Sequence, residues 1–299
     1  NYKISARLRN YLKFFLLPFQ AFKLARYARS QKRAIFFHAH SFYYIMVCYL
    51  AGVKFIATPM GSDYLIRPKE SFTYRLLAKQ SIKKALVVTC DSIELQKLLG
   101  SWGVNSIIIQ NGVDFSLFKT ENNLPRKNVL STRGFQSLYN IKEILKSRNY
   151  SSATKDTKIE FIYPFGDESY IKECGELLNN NDVITGSVNR ENLYQKLREC
   201  SVMISIPSSD ASPRSVYEAI FSGCIVITTN LPWIDMLTEQ MKNRLVIVDL
   251  QLDNWFEIAL QKANVLSKQK FKASESEKQI FDTETQMKKL TREIYERIE

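Results

Sequence analysis

The sequence contains no acidic residue before Asp63, although ten basic residues precede that position. The remainder of the chain carries 32 basic and 30 acidic residues, so nearly all of the net charge of +12 belongs to the amino-terminal part. Such an excess favours an anionic partner. Nucleic acid is disfavoured because no nucleic-acid-binding motif accompanies the charge, and we expect no nucleic-acid partner.

Other features are also absent. No stretch reaches 18 uncharged apolar residues, so we expect no membrane-spanning helix. No close cysteine pair suggests a metal clip, and we expect unpaired thiols in a reducing, cytoplasmic compartment. The five cysteines are Cys48, Cys90, Cys174, Cys200 and Cys224. The sequence does not begin with Met, so an upstream targeting segment is left open.

The amino-terminal segment has the pattern of a basic amphipathic helix. Apolar residues recur at spacings of three and four, which places them near one helix face. They are Leu8, Tyr11, Leu12, Phe15, Phe19 and Phe22. Pro18 is expected to kink or divide the helix. Residues 1–33 therefore suit an anionic membrane surface on the inner face of a membrane, where each basic residue adds roughly 1 kcal/mol of attraction. The alternative is a core-packing helix with a solvated basic face.

The rest of the chain alternates between apolar runs and helical patterns. Predicted strands cover residues 34–38, 54–58, 85–89, 106–110, 129–132, 158–163, 183–185, 202–206, 225–228 and 245–248. Predicted helices cover residues 41–50, 72–84, 92–99, 139–147, 170–178, 189–200 and 281–298. Strands joined by helices of this length indicate parallel sheets with helices on both faces.

A chain of 299 residues favours two domains. We predict a Rossmann-like domain at residues 1–118, a polar linker at 119–127, and a second Rossmann-like domain at 128–275. A terminal helix at 276–299 is expected to pack back toward the first domain. Two such α/β domains would enclose a central ligand cleft.

Two carboxylates, Asp210 and Glu218, mark the most informative segment. Asp210 follows a predicted buried strand, and Glu218 lies on the helix that leads to the next strand. Both residues therefore belong to the carboxyl end of a parallel sheet, where open α/β sheets bind their ligands.

The order of the motifs resembles a known family, the retaining nucleotide-sugar glycosyltransferases of family four, which have the GT-B fold. The matching segments are His38-Ala-His40-Ser41, Thr58-Pro-Met-Gly-Ser-Asp63, Asn111-Gly-Val-Asp114 with Phe118, Ser131-Thr-Arg133, Gly186-Ser-Val188, the Asp210–Glu218 segment and Gly223. Each segment alone is a weak signal, but together they cover nearly the whole chain in the family's order.

The resemblance implies a role for individual residues. Arg133 occupies the position that binds the donor diphosphate, Glu218 the position that accepts ribose hydroxyls, and Asp210 the position that faces the donor sugar. The loop residues that touch sugar and diphosphate in the family correspond to Ser212, Pro213, Arg214 and Ser215. Gly186 and Val188 match the part that lies near the base. His40, at the end of its strand, is expected to reach the acceptor or donor sugar as a catalytic residue with Arg133 and Asp210. Ser62 and Asp63 are expected to contact the acceptor.

Every one of these roles has a structural alternative. Arg133 could form a loop salt bridge, Glu218 could cap a helix, and Asp210 could form an Asx turn. Arg214 could be an ordinary surface arginine. His40 could be a structural hydrogen-bonding residue at a strand end.

The sequence departs from the family pattern at four places. Leu138 stands where the family has a lysine, Ala211 replaces a glycine, and Met60 replaces a frequent histidine. We expect Arg214, or less favourably Lys142, to replace part of the missing positive charge. The family's opening strand and Gly-rich loop have no counterpart before the His38 strand, so we expect either that the amino-terminal domain is truncated in this sequence or that it is reduced. A true absence of the loop would argue against transfer activity.

The function implied by the resemblance is retaining, hexosyltransferase-like sugar transfer. The donor would be a nucleotide diphosphate sugar, and the acceptor a glycan or lipid-linked molecule of bacterial surface polysaccharide or glycolipid biosynthesis. No cofactor and no metal site are expected. The alternatives are a non-catalytic GT-B protein that binds a nucleotide sugar or a protein partner, and a nucleotide-sugar epimerase on the same fold.

Overall fold

The computed structural model of the protein describes residues 6–33, 35–118, 126–163, 165–269 and 271–296, with the backbone alone for residues 6–12 and 14. The chain divides into two compact units: residues 1–109 with 292–299, and residues 110–291. The predicted boundary lies later, and residues 119–125 of the predicted linker fall outside the described residues.

The first unit contains a parallel sheet with strand order β1-β2-β3-β4. Its elements are α1 (Ala6–Ser30), β1 (Phe37–His40), α2 (Ser41–Ala51), β2 (Phe55–Thr58), α3 (Gly61–Leu65), α4 (Arg67–Glu70), α5 (Phe72–Ile82), β3 (Val87–Cys90), α6 (Ile93–Ser101) and β4 (Ile107–Ile108). Gly52 ends α2 in the left-handed conformation, with φ of 64°, where a residue without a side chain is favoured.

The second unit contains a parallel six-stranded sheet with strand order β10-β9-β8-β5-β6-β7. Its elements are β5 (Asn128–Ser131), α7 (Ile141–Tyr150), β6 (Ile159–Phe161), α8 (Glu168–Gly175), β7 (Val183–Ile184), α9 (Arg190–Glu199), β8 (Cys200–Ser205), α10 (Arg214–Phe221), β9 (Ile225–Thr228), α11 (Glu239–Lys242), β10 (Leu245–Ile247), α12 (Trp255–Ser267), α13 (Glu275–Phe281) and α14 (Thr283–Leu290). The strand order changes direction between β5 and β8, and ligand crevices of open α/β sheets form at such points.

Two apolar clusters fill the second unit, because its central strands are buried on both faces. Along β8, Met203 belongs to one cluster, whereas Val202 and Ile204 belong to the other. Such alternation within a fully apolar strand is typical of a parallel sheet covered by helices on both sides.

The end of the chain differs from the single helix predicted over residues 281–298. The backbone turns extended at Asp282, which separates α13 from α14, and residues 291–295 form a π-helical turn. Asp282 stops one helix and caps the next, since its carboxylate accepts hydrogen bonds from the Thr285 amide and hydroxyl, both at 2.7 Å. Residues 297–299 lie outside the described residues.

Helix α1 runs from Ala6 to Ser30 as one helix, so Pro18 does not divide it, and a kink at Pro18 stays a prediction. Helix α12, whose Trp255, Phe256 and Ala259 pack in the second unit's core, was not predicted. The side chains of Leu8, Tyr11 and Leu12, predicted to share one face of α1, lie outside the described residues.

Candidate functional site

Arg133 and Asp210 meet at the carboxyl edge of the second unit's sheet, because Arg133 follows β5 and Asp210 follows the neighbouring β8. Nη2 of Arg133 donates to Oδ2 of Asp210 at 2.8 Å, and Nε donates to the Ser205 hydroxyl at 2.7 Å. The arginine and aspartate side chains are 12% and 18% exposed. The guanidinium carbon also lies 5.3 Å from the centre of the Tyr139 ring. These contacts hold a positive charge in a fixed position at the sheet edge.

Glu218 is the most enclosed carboxylate of this edge. It lies on α10 and is 4% exposed. Its Oε1 accepts hydrogen bonds from Arg190 Nη2, from the Tyr194 hydroxyl and from Arg214 Nε, each at 3.0 Å. Burial, and then the negative charge of Glu218, raise the pKa of Tyr194 to about 12. All three of these hydrogen bonds use the same oxygen of Glu218, so one carboxylate oxygen holds two guanidinium groups and one phenol at the sheet edge.

Hydrogen bonds of Ser212 hold the loop between the two carboxylates. The Ser212 amide donates to Oδ1 of Asp210 at 3.3 Å. This is the contact of an Asx turn, which the sequence offered as the alternative role of Asp210. The buried Ser212 hydroxyl donates to Oε1 of Gln110 at 2.9 Å. Pro213 is the residue before α10, and Ser215 lies in its first turn. The backbone amides at the start of α10 thus lie four residues after Asp210 in the chain.

The two residues predicted near the base lie just after β7. Gly186 has a φ of 71°, a conformation that favours glycine. Val188 packs against the apolar cluster beneath α9 and α10. Arg190, two positions later, is the residue that reaches Glu218, so this loop joins the same edge through a side chain that the sequence analysis did not select.

The residues predicted on the acceptor side belong to the first unit. His40 ends β1, is exposed, and stacks on His38 with ring centres 4.3 Å apart. Asp63 accepts a hydrogen bond from the Phe42 amide at 3.0 Å and lies 3.4 Å from the Arg67 guanidinium, so it stabilises the start of α2. Ser62 precedes it in α3.

His38 is a structural residue. Its two ring nitrogens lie 2.7 Å from the Thr58 hydroxyl and 2.7 Å from the Tyr295 hydroxyl. A neutral imidazole satisfies both contacts, with one nitrogen donating and the other accepting. Burial, and then the neighbouring charge of His40, lower its pKa from 6.5 to about 4.

The two cations suggested as substitutes for the missing lysine have other partners. Arg214 donates to Glu218, and the Lys142 ammonium lies 2.8 Å from Glu173. Hydrogen bonding to Glu173 raises the pKa of Lys142. Leu138, at the lysine position itself, is 37% exposed. Arg133 is thus the cation that the sheet edge holds beside Asp210.

Four further residues complete this edge: Arg190, Tyr194, Ser205 and Gln110. The sequence contains a usable signal for the first two, since they are four positions apart on the helix after the Gly186 loop and share a face. Ser205 and Gln110 are recognisable only from the strand register and the chain crossover. Within the described part of the chain, no cluster of three or more His, Cys, Asp or Glu side chains could hold a metal ion.

No protein-family model and no curated protein matches the chain in sequence. Solved structures do resemble it. Sucrose-phosphate synthase from Thermosynechococcus elongatus is 16% identical with a TM-score of 0.75, and the match covers 95% of this chain and 79% of the synthase. HepE from Anabaena, in complex with UDP and glucose, is 14% identical with a TM-score of 0.71, covering 92% and 81%.

A glycosyltransferase from Rickettsia africae is 17% identical with a TM-score of 0.66, and the match covers all of this chain and 83% of that protein. The predicted fold is confirmed: the chain is an α/β protein with two parallel Rossmann-like sheets, and its architecture is that of GT-B glycosyltransferases.

Proposed function

We propose that the protein is a retaining glycosyltransferase that transfers a sugar from a nucleotide diphosphate sugar to a glycan or lipid-linked acceptor. The observation that carries this proposal is that a fixed cation and a buried carboxylate lie on the same sheet edge. Arg133 supplies a fixed cation for a diphosphate, and Glu218 supplies a buried carboxylate for vicinal hydroxyls. The similarity to HepE, whose structure contains UDP and glucose, supports a donor of this class.

The donor's charge explains the proposed role of Arg133. When the bond from the sugar C1 to the diphosphate breaks, negative charge grows on the diphosphate oxygens. A guanidinium already held by Asp210 and Ser205 stabilises that charge without reorganising at the moment of reaction. A planar guanidinium also matches phosphate by paired hydrogen bonds. Asp210 would orient this group and face the donor sugar, while the α10 amides and Ser215 approach the phosphates.

Retention follows from transfer on one face of the sugar. The acceptor oxygen forms its bond to C1 on the side from which the diphosphate leaves. The acceptor hydroxyl's proton passes to the departing diphosphate oxygen, so charge and protons balance without a protein base. His40, Ser62 and Asp63 would contribute acceptor contacts. Arg214 would exchange its bond with Glu218 for one with the diphosphate when the donor binds.

The test is a thermal-shift screen over UDP-, GDP-, ADP- and CMP-sugars, followed by a transfer assay. A donor at 100 times its dissociation constant should stabilise the protein by about 2.7 kcal/mol. Glu218→Gln should raise that constant about 10- to 100-fold, because hydrogen bonds to a charged acceptor are worth about 1.5–3 kcal/mol. The matched control is Glu160→Gln, which changes another partly buried carboxylate, paired with Lys196 at 2.7 Å. Equal donor affinity in both variants would contradict the ribose role.

Arg214→Ala separates two explanations of that side chain. If Arg214 contacts the diphosphate, its loss weakens donor binding and turnover. If it only accompanies Glu218, donor affinity and turnover stay unchanged, and the proposed substitution for the missing lysine is wrong.

A non-catalytic protein that binds nucleotide sugars is the second candidate. It is favoured by Leu138 at the lysine position and by the engagement of Arg214 with Glu218, which leave Arg133 as the cation paired with Asp210 among the residues that the structure describes. This candidate predicts a thermal shift with a donor but no release of nucleoside diphosphate. An epimerase predicts conversion of the donor sugar without any acceptor. Transfer of labelled sugar to an acceptor would exclude both.

We also propose that residues 1–33 contact an anionic membrane surface. No described helix combines the length and the apolar character needed to cross a bilayer. The support comes from the described side chains of α1: Phe15 is 83% exposed, and Phe19 and Phe22 are exposed beside it. Exposed aromatic and basic side chains on one helix suit the interface between lipid headgroups and acyl chains.

A further inference from the structure

Three helices of the first unit contain no acidic residue. The sequences of α1, α2 and α5 include eight Lys or Arg residues and no Asp or Glu. The three helices are neighbours, since α2 packs against both α1 and α5. The large apolar side chains described as exposed on these helices include Phe15, Phe19, Phe22, Phe72, Leu76 and Leu77. We call these three helices the basic layer.

A groove opens within this layer, between α1, β1 and α2. Its volume is about 660 Å³, which is in the range of small-molecule binding sites. Its walls are mainly apolar, with Leu24 and Tyr27 from α1, Phe37 from β1 and Val47 from α2. Lys23 and His40 add polar groups to the same groove.

The groove exists because α1 buries little of itself. Among the described side chains of α1, the buried apolar ones are Leu17 and Ala21, a short contact for a helix of this length. At the groove wall Tyr27 is exposed and Leu24 is only half-buried. Apolar surface is therefore left open to a ligand along β1, next to a run of positive charge.

We propose that this groove binds the hydrocarbon chain of an amphiphile with a phosphate headgroup, and that Lys23 contacts the phosphate. The apolar walls select the chain, because burying methylene groups is the main favourable contribution such a cavity can make. The absence of acidic residues from the basic layer selects an anionic headgroup over a cationic or zwitterionic one. That this amphiphile is the sugar acceptor rests on the proposed function; that it binds does not.

Lys23 lies where its ammonium can contact the phosphate headgroup. Its ammonium lies 4.5 Å from the centre of the Phe19 ring, and the side chain is exposed at the groove. A phosphate bound to Lys23 would keep the ammonium near Phe19. The phosphate headgroup and the Phe19 ring would then lie on the same side of α1, the side that faces a lipid surface.

The test measures binding of hexyl, octyl and decyl phosphate below their micelle concentrations by calorimetry, with inorganic phosphate as the chainless probe. The affinity should rise about fourfold per added methylene until the groove is filled. Leu24→Trp should flatten this dependence by occupying the groove. Leu16→Trp is the matched control: it makes the same change on the same helix at an exposed site that does not line the groove.

A second pair of variants tests the headgroup contact. Lys23→Glu and Lys13→Glu change the net charge equally, and both side chains are exposed on α1. A local contact predicts at least a tenfold larger loss of alkyl-phosphate affinity for Lys23→Glu. Equal losses would mean that only the general field attracts the ligand, and would overturn the proposed role of Lys23.

Donor binding, measured on the same samples, separates this inference from the proposed function. If alkyl phosphates bind with the expected chain dependence and no nucleotide sugar binds, the groove stands and the transferase proposal fails. If the affinity does not depend on chain length, or if Leu24→Trp and Leu16→Trp behave alike while both variants remain folded by circular dichroism, the groove proposal is overturned.

Discussion

The two units of the protein treat charge in opposite ways. In the first unit, the basic layer carries positive charge alone, and none of its basic residues has an acidic neighbour on its own helix. In the second unit, charged side chains are paired at close range. Arg148 and Asp182 are paired and fully buried, and Glu218 receives two arginines.

This difference indicates what each region is built to meet. Charge of one sign on helices without acidic residues, beside exposed aromatic groups, favours an anionic partner outside the unit. Paired and buried charge is already satisfied, so it stabilises the fold or holds a site in a fixed geometry. The following predictions test this comparison, beginning with the largest expected effect.

The buried pair of the second unit should be the most sensitive to substitution. Arg148 contacts both carboxylate oxygens of Asp182 at 2.6 Å and donates to the Leu177 carbonyl at 2.9 Å. Arg148→Met should lower the free energy of unfolding by about 3–5 kcal/mol, because it leaves the Asp182 charge buried without its partner. Denaturant unfolding followed by circular dichroism measures the loss.

Lys146→Met on the same helix is the control. Its exposed pair with Glu143 has a length of 2.9 Å, similar to that of a buried pair, but lies in water. The expected change is about 0–1 kcal/mol. A comparable loss in both variants would mean that burial of the charge is not what distinguishes the second unit.

The aromatic groups of α1 should show the reverse behaviour. The double variant Phe19→Ser and Phe22→Ser should change the free energy of unfolding by no more than about 0.5 kcal/mol for each exposed site. Partition onto liposomes with anionic lipids should fall about tenfold or more, because the apolar area entering the interface is lost. Flotation measures the bound fraction.

An equivalent change in the second unit serves as its control. Tyr150 and Val265 are similarly exposed, at 66% and 63%. Their replacement by serine should leave liposome binding unchanged. If wild-type protein binds neutral and anionic liposomes equally, the charge of the basic layer is not involved, and the membrane proposal loses its main support.

The last prediction concerns His38, a half-buried titratable group of the first unit. Its folded-state pKa of about 4 lies below the ordinary value of 6.5, so between these pH values the unfolded chain binds more protons than the folded one. Stability from this residue is complete above pH 6.5 and is lost as the pH falls toward 4. The loss should be about 1–2 kcal/mol, since solvent screens a half-buried ring.

His38→Asn should remove this component of the pH dependence. The groups facing His38 are the stacked His40 ring and the hydroxyls of Thr58 and Tyr295. Unfolding free energies at pH 7.5 and pH 4.5 should therefore differ less in the variant than in the wild type. An identical difference in both proteins would mean that His38 is protonated as easily when folded as when unfolded.

Sequence periodicity predicted most elements because the apolar runs of this chain are short and regularly separated. The run at Val202 to Ile206 became β8, and the pattern from 141 to 147 became the body of α7. The prediction of one helix over residues 281–298 was wrong for a physical reason. The helical pattern continues through Asp282, but the Asp282 side chain caps the start of α14 instead of lying inside a continuous helix. Helix α12 was not predicted, although its buried residues Trp255, Phe256, Ala259 and Ala263 have the spacing of one helix face.

The candidate site was predictable in part. The Asp210–Glu218 segment and Arg133 follow predicted strands, and the adjacency of β5 and β8 brings Arg133 to Asp210. The hydrogen bonds from Arg190 and Tyr194 to Glu218 were not predictable. They depend on how α9 packs beside α10, which no local pattern contains.

The sequence by itself determined the alternation of strands and helices, the position of the carboxylates and arginines after strands, and the lack of acidic residues in α1, α2 and α5. These properties are local, because they depend on residue type and spacing along the chain. The tertiary structure alone decided which charges are paired. Arg190 contacts Glu218, Arg133 contacts Asp210, and the groove beside Leu24 stays open. Such pairings depend on distances between segments far apart in the chain, which are set only when the sheets and helices pack.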